Sequence, residues 1–290
     1  MLFDEVLVLD SSVDRIRRMA SFKRRFEAIY MDHFAANRKN ILLANANAHR
    51  VITPTIPDRL PSVFQKRLEH HPPDASLHES TRYLRFVDGH ASNDDLNEGL
   101  FLLTPKKANP ICNGPYITLQ PGSGNNQAPW KTWPIKKWKA VIEHIHEAHP
   151  ELNIVLLGDE SEDQMGNPLT KLPHVINAIG KTDMHSLPYI LAKAKLHIGN
   201  DSGLLHISGC VGTPTVTIWG GSDPGFYGWH LIEPKKHEVI KLNLDCGPCS
   251  RWLKPNISRV EVPTLCPDFR CLNGLSTDLV NAAIDAKLNA

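Results

Sequence analysis

Residues 195–206 read KLHIGNDSGLLH: a short apolar run ending at Gly199, a polar turn Asn200-Asp201-Ser202-Gly203, then an apolar helix start. A strand feeding a helix through such a turn points free backbone N–H groups, and the positive end of the helix dipole, at one spot. That spot suits a phosphate. Asp201 is also a candidate N-cap for the helix. Its carboxylate repels a neighbouring diphosphate, so if both are present Asp201 faces sugar hydroxyls while Ser202, Gly203 and the helix start hold phosphate. His206 follows about one turn later, on the same face as Ser202 and Gly203. There it either donates to the phosphate or sits as a satisfied core histidine.

Two other loops carry matching chemistry. After an apolar run ending at Leu119 come Gln120-Pro121-Gly122-Ser123-Gly124 and a polar stretch to Lys131. The loop offers backbone donors, and Lys131 is either a surface lysine or the ammonium that neutralises a diphosphate. After Leu157 comes Gly158-Asp159-Glu160. Glu160 there can accept both hydroxyls of a ribose, or serve only as a first-turn carboxylate favourable to a helix dipole.

These loops need a common scaffold. From residue 110 onward short apolar runs at 116–119, 154–157, 175–176, 195–199 and 215–219 alternate with helical spacing. Helices are expected over 134–149, 162–170, 184–194 and 204–211, and an amphipathic one at 276–288 with Ser276 as N-cap. That alternation predicts an α/β, doubly wound parallel sheet, whose strands offer ligand-binding loops at their carboxyl ends. Gly220-Gly221, after Trp219, ends a fourth such strand.

Residues 1–107 read as a smaller α/β layer, with the boundary at Thr104-Pro105-Lys106-Lys107. Strands are expected at 6–9, 28–31 and 50–52, and helices at 14–26, 38–48 and 77–87. The last places His78, Arg82 and Arg85 on a solvated face. Five prolines between 54 and 73 exclude continuous helix or sheet there. A strand beginning so near the start suggests a sheet that has lost members.

Net charge is close to neutral, with 32 basic and 31 acidic residues, so no global field favours nucleic acid. An apolar fraction of 41% is ordinary for a globular protein. No run is long enough to span a bilayer, so a cytoplasmic protein, with contact at a membrane surface as an option, is the expectation. Of six cysteines, Cys112 and Cys210 sit in apolar surroundings. Cys246, Cys249, Cys266 and Cys271 have the spacing of a metal knuckle, although packed free thiols are the default expectation.

The sequence then matches a known pattern. Lys131-Thr132-Trp133-Pro134, Val155-Leu156-Leu157-Gly158 with Glu160, Gly180-Lys181-Thr182, and Gly199-Asn200-Asp201-Ser202-Gly203-Leu204-Leu205-His206 occur in this order. Gly212-Thr213-Pro214-Thr215-Val216 and Trp219-Gly220-Gly221-Ser222-Asp223-Pro224 follow. Over about residues 115–275 this resembles the C-terminal half of glycosyltransferase family 9, the bacterial heptosyltransferases of lipopolysaccharide core assembly. A looser likeness covers 1–90. The resemblance implies a GT-B architecture of two Rossmann-like domains, here 1–107 on the acceptor side, incomplete, and 108–290 for the sugar donor.

It also implies an inverting transfer of heptose from ADP-heptose, or a related nucleotide sugar, to the lipopolysaccharide core or another glycan. No metal or other cofactor is implied for that reaction. Adenine is implied by the family alone. Lys131 and Asp201 would carry the catalytic role, with Ser123, Lys131, Glu160, Thr182, Asp201, Ser202, Gly203 and His206 binding the sugar donor. A cysteine finger in an autotransporter-modifying subgroup is similar to the late cysteines.

The family's opening strand, glycine loop and base-like aspartate have no match in residues 1–30. The expectation is a chain that starts inside the acceptor-side domain and lacks the family's base, which an inverting displacement needs near the attacking oxygen. Asp10 and Asp32 end strands and are only minor candidates to replace it. A relative that binds a nucleotide sugar without turnover is the alternative. A nucleotide-sugar epimerase would share the sheet but not the Asp201–His206 and Lys131–Pro134 motifs.

Overall fold

The computed structural model describes residues 26–31, 36–54, 56–57, 60–72, 74, 76–85, 89–99, 110–124, 131–249, 266 and 268–290. The strand expected at 6–9, nearly all of the helix at 14–26, and Asp10 and Asp32 lie outside the described residues. The chain divides into two compact units, 1–74 with 82–91 and 75–81 with 92–290. Residues 92–99 thus group with the second unit, whereas the composition break lies at 107.

In the first unit, β1 (Phe26–Tyr30), α1 (Arg38–Asn47), β2 (Ala48–Thr53), α2 (Ser62–Gln65) and β3 (Leu68–His70) form a parallel sheet of order β1-β2-β3. Asn37 starts α1 by accepting the N–H of Asn40 at 3.1 Å, as an N-cap should. Ile41 and Ala44 on that helix bury against Val51, Met31 and Leu60. β3 sits inside the proline-rich segment that argued against sheet; it is three residues long and fits between the prolines.

The helix expected over 77–87 is shorter, α3 (Glu79–Leu84). Its solvated face is corrected at two positions. Arg82 is 7% exposed, its Nε donating to the Asp74 carbonyl at 2.7 Å. His78 is 2% exposed; its Nδ1 accepts the Ser80 N–H and its Nε2 lies 3.3 Å from the Tyr227 carbonyl. Arg85 donates to the Ala91 carbonyl and pairs with Asp74. These groups satisfy backbone, the arginines locally and His78 both locally and at the distant Tyr227; charge alone gave no hint of it.

The second unit carries α4 (Asn93–Gly99), β4 (Tyr116–Gln120), α5 (Ile135–Ala148), β5 (Asn153–Leu156), α6 (Asp163–Gly166), β6 (Val175–Asn177) and α7 (Leu187–Lys193). It continues with β7 (His197–Asn200), α8 (Gly203–Cys210), β8 (Thr215–Ile218), α9 (Pro224–Tyr227), β9 (His237–Ile240), α10 (Arg270–Asn273) and α11 (Thr277–Leu288). Its six strands are all parallel, in the order β6-β5-β4-β7-β8-β9. Every residue of β4, β7 and β8 is buried, as expected of strands covered on both faces.

On α5, Trp138, Val141, Ile142 and Ile145 follow the 3.6-residue period and are fully buried. They meet Val280 and Ile284 of α11 in one core. Each fully buried Ile or Val side chain there contributes about 1.5–3 kcal/mol. The helix expected over 162–170 is broken: Glu160–Glu162 and Leu169–Lys171 are 3-10 turns flanking α6. Pro168 between them cannot continue a helix. Among the described residues no helix is long and apolar enough to cross a membrane.

Candidate functional site

The second sheet reverses its winding between β4 and β7. In open α/β sheets a crevice forms at the carboxyl ends of the strands at such a point, and ligands bind there. β4 leads into the glycine loop and on to Lys131; β7 leads into Asp201. The two meet, Lys131 Nζ lying 2.7 Å from Asp201 Oδ2, with side chains 16% and 5% exposed. A paired cation and carboxylate thus sit where a ligand would lie.

Beside the pair starts α8. Ser202 occupies the N-cap position with extended backbone, and no side chain caps the helix. The Ser202 hydroxyl donates instead to Gln120 Oε1. Asp201, expected as the cap, is drawn to Lys131. The first N–H groups of α8 therefore carry no side-chain acceptor, and they line an anion-favouring spot. A Cβ built on Gly203 meets no atom within 4 Å, so the space over the helix start is open to a ligand.

Beneath this rim lies a buried polar brace. Gln120 Nε2 donates to the Glu162 carboxylate at 3.2 Å and 3.4 Å. Glu162 also accepts the Asp159 N–H at 2.7 Å, closing a capping box with Asp159. Gly122 and Gly158 make room for it, since a Cβ there would lie 1.9 Å and 2.6 Å from the Glu162 oxygens. Asn200 Nδ2 donates to the carbonyls of Pro121 and Gly122 at 3.0 Å and 2.8 Å. Trp138 Nε1 donates to the same Pro121 carbonyl at 3.1 Å. One carboxylate and two amides thereby join the ends of β4, β5 and β7. Gln120, Asn200 and Glu162 are not among the site residues expected from sequence. An amide at the last position of a buried strand is the signal for Gln120 and Asn200, and the Asp159-x-x-Glu162 capping-box spacing the one for Glu162.

The other expected residues are distributed along the same sheet edge. Ser123 is 7% exposed, its Oγ 3.5 Å from the Thr132 hydroxyl. Glu160 is exposed and opens the turn after β5. Gly180, at φ 66°, brings the loop after β6 against Glu160: a Cβ there would lie 3.0 Å from the Glu160 Cα. Thr182 follows two residues later, so Glu160 and Thr182 stand at neighbouring strand ends on the β5–β6 side of the crevice. Gly220 and Ser222 line a separate cavity of about 200 Å³ with Lys241, Asn243 and Asp245, beyond β8 and β9.

His206 faces the rim. Its Nε2 lies 3.9 Å from Asp201 Oδ1, beyond direct hydrogen-bond range. Its Nδ1 accepts from Trp229 Nε1 at 3.2 Å. Burial pushes its pKa below the usual histidine value, Asp201 pulling it up and Lys131 pushing it further down, so the ring is neutral near pH 7. Of the late cysteines, Cys246 is exposed and Cys249, Cys266 and Cys271 are half-buried. Burial, then the nearby Cys249, Cys266 and Cys246, raise the pKa of Cys271. Among the described residues no group of three His, Cys, Asp or Glu side chains is placed to hold a metal ion.

Comparison with known proteins bears on this geometry. Residues 68–257 match the family model for glycosyltransferase family 9 (heptosyltransferase). The chain is similar to lipopolysaccharide heptosyltransferase 1 of Escherichia coli K12, with 22% identity over 208 residues, covering 69% of this chain and 64% of that protein. The chain therefore spans a little under two thirds of that relative's length.

Among solved structures, the glycosyl transferase family 9 protein from Veillonella parvula superposes with a TM-score of 0.70 at 18% identity, over 97% of this chain and 80% of that one. E. coli heptosyltransferase WaaC, solved with ADP-2-deoxy-2-fluoro heptose, superposes with a TM-score of 0.61 at 18% identity, over 97% and 79%. The two-unit α/β arrangement with separate parallel sheets is the GT-B-like fold of these structures.

Proposed function

The chain belongs to glycosyltransferase family 9, and from that premise we propose that its second unit holds the sugar donor of an inverting glycosyl transfer. The donor is ADP-heptose or a close relative, and the acceptor a hydroxyl of the lipopolysaccharide inner core or another glycan. Residues 1–107 then form the acceptor-side domain and 108–290 the donor-side domain. The observation that carries the reading is the Lys131–Asp201 pair at the winding reversal, beside a helix start whose N–H groups have no side-chain cap.

In such a transfer the acceptor oxygen attacks the anomeric carbon and the bond to the diphosphate breaks on the opposite face. Negative charge develops on the leaving phosphate oxygen. Lys131 and the first N–H groups of α8 are the groups that stabilise it, and donors aimed at developing charge are worth more than those that only bind the ground state. Asp201 is itself an anion and repels the phosphates, so its carboxylate is left to accept from sugar hydroxyls. Glu160, one strand away, accepts the ribose hydroxyls. Ser123 and Thr182 supply neutral hydrogen bonds along the same edge.

The test is calorimetric titration of ADP and ADP-heptose into the full chain, followed by transfer to a core oligosaccharide acceptor. The reading expects binding of both, and loss of ADP affinity in Lys131→Ala. Binding without transfer would favour the alternative, a relative that holds a nucleotide sugar without turnover. No affinity for either nucleotide removes both.

A further inference from the structure

Trp229 lies in the 3-10 turn Trp229–Leu231, after α9, and is 5% exposed. Its indole packs with Leu96, Leu205, Trp219 and Ile232, and with the rings of His78 at 5.4 Å and His237 at 5.8 Å. The ring lies flush against α8 because Gly209 has no side chain; a Cβ there would sit 2.1 Å from the indole. Gly209 is one turn beyond His206, and across that gap the indole N–H reaches His206 Nδ1 at 3.2 Å.

An indole nitrogen can only donate. His206 Nδ1 must therefore accept, and the proton of the neutral ring is on Nε2. That nitrogen is the one that faces Asp201 Oδ1 across 3.9 Å, too far for a direct bond, which leaves its N–H without Asp201 as acceptor. We propose that Trp229 is a positioning residue for the sugar-donor site: it fixes His206 as the Nε2–H tautomer, a neutral hydrogen-bond donor to an oxygen of the nucleotide sugar. The proposal rests on the functional reading above.

The arrangement also excludes one role. A neutral ring with its Nδ1 lone pair engaged and a proton on Nε2 has no free lone pair, so His206 is not the base that takes the acceptor hydroxyl's proton. Protonation would set Nδ1–H against the indole N–H, two donors facing each other, which opposes the charged form. The charged groups facing the ring are Asp201, which favours that form, and Lys131, which opposes it.

Long-range 1H–15N spectra of the ligand-free full chain, with the His206 signals identified by their loss in His206→Gln, read the tautomer directly. Expected is the Nε2–H form in the neutral ring at pH 7 to 8. In Trp229→Phe, which keeps an aromatic ring against Gly209 but removes the N–H, the tautomers mix, the pKa of His206 rises, and ADP-heptose binds about three- to tenfold more weakly. An Nδ1–H form in the unaltered chain overturns the proposal, whether or not the variant folds. So does a folded Trp229→Phe chain with unchanged tautomer and affinity. If the unaltered chain shows the Nε2–H form yet binds neither ADP nor ADP-heptose, the functional reading fails and takes the ligand role of His206 with it.

Discussion

The rim and the brace of this crevice obey opposite rules. On the rim, Lys131, Asp201 and His206 converge with an ion pair at 2.7 Å and a helix start without a side-chain cap. Its groups are only partly matched to one another, and the open space over Gly203 leaves room for a ligand. In the brace, Gln120 and Asn200 spend their hydrogen bonds on protein partners, and Glu162 accepts from both a side chain and the backbone. The difference separates residues that bind from residues that hold the binders in place. Rim substitutions should show first in affinity, brace substitutions first in stability.

The largest effect is expected in the brace. Glu162→Ala leaves Gln120 Nε2 and the Asp159 N–H without their acceptor and opens a void beneath Gly122 and Gly158. Together these should cost about 3–5 kcal/mol of unfolding free energy, read by urea denaturation. ADP affinity should fall only as the folded fraction falls. A stable Glu162→Ala chain would erase the distinction between brace and rim.

On the rim, Lys131→Ala should weaken ADP about 10- to 100-fold, the worth of one charge-assisted contact. It also leaves Asp201 buried without its cation, at a cost of about 1–3 kcal/mol. The double variant Lys131→Ala/Asp201→Asn should regain that stability but not the ADP affinity. Recovery of both would mean the pair is structural and belongs with the brace.

A smaller effect concerns the strands beneath. His197 and His237 are buried, with Thr118 and Thr215 hydroxyls 3.0 Å from their Nδ1 atoms. Burial lowers both pKa values to about 3, with nearby Lys236, Lys287 and His230 also lowering that of His237. Below pH 6.5 the unfolded chain binds protons at these positions and the folded chain does not until about pH 3. Stability should therefore fall on acidification through that window, by about 1.4 kcal/mol per pH unit for each histidine. Urea midpoints measured at pH 7, 6 and 5 check this, and His197→Gln should flatten the slope. Saturating ADP should raise the whole curve without changing that part of its slope.

The same contrast governs what could be read from the sequence. The α/β alternation after residue 110 located all but one strand of the second sheet, because buried parallel strands between helices have a strong apolar signature. β9, with the sequence HEVI, was missed: it mixes polar with apolar residues, and only β8 beside it makes it a strand. β3 was hidden among prolines. The rim was legible because Lys131, Asp201 and His206 are charged or titratable residues at strand–helix turns. The brace was not, because Gln120, Asn200 and Glu162 gain their meaning from partners up to 82 positions away. His78 and Arg82 failed for the same reason, since polar residues buried on backbone carbonyls look like surface residues in a sequence.

The central claim is that the rim divides its work, Lys131 and the α8 start taking the diphosphate and Asp201 the sugar. Calorimetric titration of ADP and of ADP-heptose into Asp201→Asn tests it most directly. The account predicts that ADP binds as tightly as in the unaltered chain or more tightly, since Lys131 is freed and a repelling charge is gone, while ADP-heptose loses about tenfold in affinity. Equal losses for the two nucleotides, or none for either, would contradict it.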